Sequence, residues 1–197
     1  MKTLIAIPAM EQMYSITSYC LDNMRRVGEY MTDFLVRLNV DTARNLLAKR
    51  ALEEGCDRIL WIDSDMTFEP DLMERLSTDL DEGWDMVSGL YFKRSLRVEP
   101  VIYKSIDKQT HDAVTYWDYP QNALFPVAGC GFGGVMMKTD ILNGLTEPPF
   151  KPLPHIGEDL SFCLRMEGKK IACDSRVKMG HLGTIIFSES MYKHPKT

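Results

Sequence analysis

The first half of the chain alternates short apolar runs with segments of helical periodicity. Four apolar runs predict strands, at residues 4–7, 30–40, 58–62 and 85–92. Three periodic segments predict helices, at residues 15–27, 42–54 and 70–82. Because strand and helix alternate, and the run that ends at Ile62 is uninterrupted, we predict an α/β fold in which helices cover both faces of a mostly parallel central sheet.

The second half of the chain has a different pattern. Its apolar segments are shorter and are broken by glycines and polar turns, and they predict small strands at residues 101–103, 113–117, 124–137, 170–173 and 184–187. One helix is predicted at residues 158–167. Since no linker interrupts the chain, we predict a single domain over residues 1–197. A nucleotide-binding half at about 1–92 would be followed by a smaller mixed or antiparallel rim at about 93–197, which receives a second substrate.

Composition and charge limit the kind of protein this can be. Hydrophobic residues make up 45% of the chain and charged residues 26%, which excludes general disorder. The net charge of -5 argues against a general nucleic-acid clamp, which would be basic. The five cysteines are widely spaced with no Cys-x-x-Cys pair, so they predict reduced thiols in a cytoplasmic protein. No stretch approaches the ~18 apolar residues of a membrane span, and the first apolar run is too short for a signal peptide.

The apolar run at 58–62 leads directly into Asp63-Ser64-Asp65. Side chains two residues apart on an extended chain point to the same side, so both carboxylates face one spot at the carboxyl end of a buried strand. Ligands bind at that edge of an open α/β sheet, and neighbouring carboxylates repel unless a cation or proton lies between them. The pair therefore predicts a divalent-cation site that bridges to phosphate oxygens, with a simple turn or helix cap as the alternative.

Residues 129–134, Gly-Cys-Gly-Phe-Gly-Gly, have the spacing of a dinucleotide-binding loop but lack the helix that should follow it. The next residues are extended and apolar, so a close backbone approach or a β-bulge is the simpler interpretation. Alternatively, these small residues leave room for an acceptor or a sugar beside the metal site. An EF-hand loop starting at Asp63 is rejected, because Phe68 occupies the position that requires glycine.

Two later segments carry candidate catalytic or ligand side chains. Glu158 and Asp159 open a predicted helix, where the helix dipole favours negative charge; alternatively, one of them faces the cleft as a general base or a sugar ligand. His181 lies between glycines in a late loop. It is either a structural residue or, as a neutral imidazole, a further metal ligand beside the two carboxylates.

Taken in this order, the motifs resemble those of the GT-A-fold glycosyltransferases, in particular the short family-2-like group common in bacteria and phages. The likeness extends from about residue 5 to 187 and rests on the strand-terminal Asp63-Ser64-Asp65, the glycine segment at 129–134, Gly157-Glu158-Asp159 and Gly180-His181. The resemblance implies a metal-dependent enzyme, using Mn²⁺ or Mg²⁺, that moves a sugar from a nucleotide-diphosphate donor to an acceptor hydroxyl.

The resemblance also implies roles for individual residues. Asp63 and Asp65, with Ser64 between them, would hold the metal and the donor diphosphate or ribose, and His181 would be a third metal ligand. Asp159 would be the base of an inverting enzyme, with Glu158 beside it. The other residues expected at the nucleotide-sugar are Pro8, Ala9, Met10, Arg44, Asn45 and Gly131.

The chemistry of two basic segments fits this picture. Arg44 could offset diphosphate charge or pack against the base, although a solvent-facing helix arginine fits the sequence equally well. The loop at 93–97 carries Lys93, Arg94 and Arg97 and follows a strand at the ligand edge, so we predict that it closes over the donor.

Two other functions fit parts of the pattern. A nucleotidyltransferase-like enzyme on a related fold would need a glycine-rich basic loop after the first strand, which is not there. A nucleotide-sugar-binding protein without catalysis would not need Asp159 beside an intact Asp63 and Asp65. The acceptor is left open among a saccharide, a protein, a lipid-linked sugar and a modified nucleic acid, and no oligomeric state is predicted.

Overall fold

A seven-stranded sheet forms the centre of the computed structural model, which describes residues 1–95, 97–145, 148–183 and 188–189. The strands, in chain order, are β1 (Lys2–Ala9), β2 (Glu29–Val36), β3 (Arg58–Ile62), β4 (Met66–Thr67), β5 (Met86–Leu90), β6 (Ile102–Ile106), β7 (Ala113–Thr115), β8 (Leu124–Pro126), β9 (Gly129–Cys130), β10 (Gly134–Lys138), β11 (Ile171–Lys178) and β12 (Gly180–His181). The α-helices are α1 (Ser15–Asn23), α2 (Val40–Glu53), α3 (Leu72–Asp81) and α4 (Glu158–Arg165), and a 3-10 helix spans Thr139–Gly144. None of the described helices combines the length and the apolarity needed to cross a bilayer.

The order of strands across the central sheet is β2-β1-β3-β10-β5-β11-β8. Strands β1, β2, β3, β5 and β11 run in one direction, whereas β10 and β8 are antiparallel to their neighbours. Two smaller antiparallel sheets, β7-β6-β9 and β12-β4, are built mostly from the second half of the chain. This arrangement confirms the predicted fold class. The division of one domain into two functional halves stays a prediction.

Helices cover both faces of the sheet because consecutive strand residues belong to two separate apolar layers. In β3, Ile59 and Trp61 pack with residues of α2, whereas Leu60 and Ile62 pack with residues of α1 and α3. All four side chains are fully buried. Each such side chain contributes about 1.5–3 kcal/mol, which is why a central strand of a two-sided sheet needs an apolar run without interruption.

Helix α1 is shorter than the sequence predicted, since it ends at Asn23 and not at residue 27. The side chain of Arg26 folds back and donates hydrogen bonds to the carbonyl oxygens of Leu21 and Met24, at 2.9 and 3.1 Å. These bonds satisfy carbonyls that a continuing helix would have paired with later backbone N–H groups. The chain is therefore free to turn towards β2.

Several apolar side chains that the pattern assigned to the core lie at the surface. In α1, Ile16 and Tyr19 are exposed, although both belong to the apolar periodicity that predicted the helix at 15–27. Strand β2 ends at Val36 and not at residue 40, and as an edge strand it leaves Phe34 44% exposed. A run of apolar residues predicts a strand equally well at the edge and in the middle of a sheet, because the position across the sheet depends on distant segments.

Strand β11 extends to Lys178, well beyond the predicted residues 170–173, because the side chains of its polar residues form hydrogen bonds. The Ser175 hydroxyl donates to the Pro120 carbonyl oxygen at 2.7 Å. Asp174 Oδ1 accepts from Arg176 Nε at 2.8 Å. The other strand predicted near the C-terminus, at 184–187, lies outside the described residues.

Asp174 also belongs to a buried pair of carboxyl groups, with Asp79 of α3 as the second member. The two residues are 1% and 3% exposed and share the guanidinium of Arg176. Burial, and then the hydrogen bond with Asp174, raises the pKa of Asp79 from the ordinary 3.8 to about 7. Between these two pKa values, the folded protein therefore holds a proton that the unfolded chain has lost. Stability is greatest below the lower value and falls as the pH rises through the upper one.

Replacing Asp79 with asparagine should remove most of this pH dependence, since an amide has no proton to lose. Between about pH 5 and about pH 8, we expect the free energy of unfolding of the wild type, measured by urea titration, to fall by about 2–3 kcal/mol more than that of Asp79→Asn. Asp22→Asn, at an exposed position of α1, is the control and should keep the wild-type slope. If the stability of the wild type and that of Asp79→Asn fell equally with pH, Asp79 would not be the group that holds this proton.

Candidate functional site

The carboxyl ends of β1 and β3 and the N-terminus of α4 surround an open pocket of about 310 Å³. All of the residues that the sequence predicted for the site line this pocket, except Asn45 and Gly131. The loop at 8–10 meets the carboxylates at 63–65 because β1 and β3 are parallel neighbours that end at the same edge of the sheet. The functional roles of these residues stay predictions.

A buried arginine, Arg44, connects three parts of the pocket. Its side chain is 3% exposed, donates to Asp63 Oδ1 at 2.9 Å and donates to Glu158 Oε1. The guanidinium carbon lies 5.2 Å from the centre of the Phe132 ring. Helix α2 can present this side chain inwards because its buried face also includes Leu47. A solvent-facing Arg44, which the sequence left as an alternative, is therefore wrong.

The pocket carries more negative than positive charge. Among the described residues that line it, four are carboxylates and two are arginines. Burial raises the pKa of both Asp63 and Glu158, and the positive charge of Arg44 offsets only part of that effect. A further cation would stabilise the ionised form of these groups, so the pocket is electrostatically suited to one.

Asp65 is held differently from Asp63. Its Oδ2 lies 2.9 Å from Arg94 Nη1 and 3.5 Å from His181 Nε2. Although burial opposes them, these two partners lower the pKa of Asp65. His181 Nδ1 lies 3.0 Å from the carbonyl oxygen of Phe92, which can only accept, so Nδ1 carries a hydrogen in both the neutral and the charged ring. The charged ring also has a hydrogen on Nε2 and donates to Asp65, whereas in the neutral ring the Nε2 lone pair is left for a cation.

Within the described ranges of the chain, no three carboxylate, imidazole or thiol groups converge closely enough to bind a metal ion by themselves. Asp65 and His181 nevertheless offer an oxygen and a nitrogen side by side, and the bond from Nδ1 orients the ring as in metal-binding histidines. Mg²⁺ is commonly held by one or two protein groups together with substrate phosphates and waters. The residues therefore fit a cation that arrives with a diphosphate.

The two acidic residues at the start of α4 have different surroundings. Glu158 is committed to Arg44. Asp159 Oδ1 accepts the backbone N–H of Leu160 at 2.7 Å, and no cation of the described residues forms an ion pair with Asp159. Since both residues line the pocket, Asp159 is the one whose carboxylate is not committed to a cation of the described residues.

Asn45 and Gly131 lie away from the pocket lining. The Asn45 side-chain oxygen accepts the backbone N–H of Phe150 at 2.9 Å, so its amide fixes a neighbouring segment of the chain. A β-carbon at Gly131 would lie 2.1 Å from the Tyr91 hydroxyl oxygen and 2.6 Å from Val101. Packing against these two side chains, and not contact with the pocket, accounts for the glycine.

Sequence reasoning missed Tyr91 and Phe132 and treated Arg94 only as part of a loop. Tyr91 follows β5 at the ligand edge, and its ring stands edge-on to that of His181 at 5.6 Å. Phe132 lies inside the glycine segment, between Gly131 and Gly133. Each of these two residues lies after a strand or between two strands at the ligand edge of the sheet. That position could have identified both of them.

The central, mostly parallel sheet flanked by helices matches the fold of GT-A-like solved structures. No protein-family model and no curated protein matches the chain. Among solved structures, A197 from STIV matches with a TM-score of 0.72 and 22% identity over 100% of this chain and 99% of that one. GalNAc-T7, solved with UDP, GalNAc and Mn2+, matches with a TM-score of 0.63 and 9% identity over 97% of this chain and 45% of that one. TarS from S. aureus matches with a TM-score of 0.53 and 14% identity over 89% and 58%. GalNAc-T7 and TarS are GT-A glycosyltransferases, and at these identities the likeness concerns the fold.

Replacing Arg44 with methionine should destabilise the protein strongly, because two partly buried carboxylates lose their shared cation. We expect the free energy of unfolding to fall by about 3–5 kcal/mol in a denaturant titration, and adding Glu158→Gln to the variant should restore part of the loss. Arg50→Met is the matched control on α2, since that side chain is 49% exposed; it should cost less than about 1 kcal/mol. A loss no larger than the control's would show that the guanidinium does not hold the site together.

Proposed function

We propose that this protein is a metal-dependent glycosyltransferase that moves a sugar from a nucleotide-diphosphate donor to an acceptor hydroxyl. The observation that carries the proposal is the presence of Asp65, His181 and Asp159 in one pocket at the ligand edge of this fold. Asp65 and His181 can hold a cation at the donor, and Asp159 can act as a base. The structure of GalNAc-T7, which shares the fold, contains UDP, GalNAc and Mn2+.

The nucleoside of the donor is assigned to the wall formed by residues 8–10 and the start of α2. Met10 and Val40 line the pocket there and are 64% and 38% exposed. Apolar surface that remains exposed inside a polar pocket can bury the flat face of a base. Asp63 and the other polar groups at the opposite end of the pocket are then available to bind the ribose and the diphosphate.

The diphosphate end of the pocket is prepared by Arg44 and Arg94. Arg44 orients Asp63, while Arg94 contacts Asp65 Oδ2 and the Leu182 carbonyl oxygen, each at 2.9 Å. Mn²⁺ or Mg²⁺ held by Asp65 and His181 would stabilise the charge that develops on the leaving diphosphate. Arg94 is 41% exposed and belongs to the loop predicted to close over the donor, so it can move from Asp65 towards the phosphates.

Asp159 is assigned as the base of an inverting reaction. As the acceptor oxygen attacks the anomeric carbon, the bond from that carbon to the diphosphate breaks and the acceptor proton passes to the Asp159 carboxylate. The bond from the Leu160 N–H holds this carboxylate in place. An acceptor among saccharides, proteins, lipid-linked sugars or modified nucleic acids, and a cytoplasmic location, are part of the same proposal.

Binding of nucleoside diphosphates should depend on the metal through Asp65. With UDP and GDP as probes in calorimetry, we expect the better of the two to bind at least about tenfold more tightly with Mn²⁺ than with a chelator. Asp65→Asn should abolish this difference because it removes the anionic ligand. Arg94→Met should instead raise the affinity for Mn²⁺ alone, since it removes the cation that competes for Asp65. Metal-independent binding by the wild type would contradict the assignment.

Asp159→Asn should abolish turnover while leaving donor binding almost unchanged. In a transfer and donor-hydrolysis assay over a panel of nucleotide sugars, we expect turnover to fall by about 10²–10⁴-fold, the usual effect of losing a general base. Glu158→Gln is the matched neighbour and should act mainly on thermal stability, because Glu158 pairs with Arg44. Retained turnover in Asp159→Asn would remove Asp159 from the reaction. Release of pyrophosphate from a nucleoside triphosphate would favour the nucleotidyltransferase alternative.

A further inference from the structure

One polar group in the pocket has no role in the reaction as described so far, and that is the hydroxyl of Tyr91. Tyr91 is 6% exposed and lines the pocket. Its oxygen accepts the backbone N–H of Gly133 at 3.1 Å. A tyrosine hydroxyl can accept and donate at the same time, and within the described part of the chain no group within hydrogen-bond distance accepts the Tyr91 proton. The donor half of this group is therefore left for a ligand.

Gly131 and Gly133 leave space for this hydroxyl, because neither residue has a side chain. A β-carbon at Gly131 would lie 2.1 Å from the hydroxyl oxygen, and one at Gly133 would lie 3.0 Å from the ring carbon that carries it. No β-carbon can occupy the first of these positions unless Tyr91 moves. The glycine segment thus fixes where the hydroxyl sits, and Gly131 acts as a positioning residue through Tyr91.

A tyrosine hydroxyl keeps its proton near neutral pH, since the ordinary pKa of tyrosine is about 10. The hydroxyl can therefore donate a hydrogen bond under the conditions in which the protein works. Tyr91 lines the same pocket as Asp63, which is assigned to the donor diphosphate, and Asp159, which is assigned to the acceptor.

In glycosyl transfer, the migrating sugar lies between the leaving diphosphate and the attacking hydroxyl. We propose that Tyr91 donates a hydrogen bond to a hydroxyl or ring oxygen of the donor sugar, and that it distinguishes a nucleotide sugar from the bare nucleoside diphosphate. This inference rests on the proposed function. It adds a residue that selects the sugar, whereas the metal, Asp63 and Asp65 act on the diphosphate.

The test compares two affinities in each protein, both measured by calorimetry with Mn²⁺. The probes are UDP-glucose, UDP-galactose, UDP-N-acetylglucosamine, UDP-N-acetylgalactosamine and GDP-mannose, each paired with UDP or GDP. Tyr91→Phe removes only the hydroxyl. We expect it to weaken the best-bound nucleotide sugar by about 3–10-fold, the usual effect of one neutral hydrogen bond, with the affinity for the diphosphate unchanged. The ratio of the two affinities is the readout, because a loss of stability would lower both together.

Two further variants make the result specific. Gly131→Ala keeps the hydroxyl but displaces it, and should lower the same ratio. Tyr119→Phe removes the hydroxyl of a similarly buried tyrosine, 3% exposed, that lies outside the pocket lining; its ratio should equal that of the wild type. An unchanged ratio in Tyr91→Phe would overturn the role of Tyr91 alone. Failure of the wild type to bind any probe would overturn the proposed function, and the role of Tyr91 with it.

Discussion

A buried guanidinium, that of Arg44, connects three of the chain segments that line the pocket. Removing such a charge from water costs several kcal/mol, and carboxylates offset that cost only when α2, the end of β3 and the start of α4 are in register. Asp63 and Glu158 supply the two carboxylates. The face of the Phe132 ring beside the guanidinium adds a contact that requires no further polar partner. The geometry of the site is thus established when the protein folds and does not require a bound ligand.

This requirement divides the four acidic residues of the pocket into two pairs. Asp63 and Glu158 are committed to Arg44, so they serve as a fixed frame. Asp65 pairs with a half-exposed loop arginine, and Asp159 is held only through a backbone N–H, so each can take a new partner without breaking the frame. Acidic residues that lie close together in the sequence therefore differ in how freely each can take a new partner, because of what each one contacts.

The sequence predicted the parts of the structure that depend on local pattern. The α/β class follows from apolar runs, and the resemblance to the GT-A-fold glycosyltransferases placed residues 8–10 and Arg44 in one site with Asp63 and Asp65. The sequence could not predict that Asn45, one residue after Arg44 on the same helix, would bind the backbone of Phe150 and lie outside the pocket lining. Periodicity describes the burial of an element and says nothing about which distant segment buries it.

The antiparallel strand β10 shows how such distant contacts shape the site. It lies between β3 and β5 and brings the glycine segment to the ligand edge from the opposite direction. At Gly133, the carbonyl oxygen accepts the N–H of Asp63 and the N–H donates to the Tyr91 hydroxyl. A single peptide segment thus sets the distance between the carboxylate pair after β3 and the tyrosine after β5. A β-carbon at Gly133 would lie 3.0 Å from Met66 Sδ and from the Tyr91 ring, so glycine at this position leaves room for both side chains.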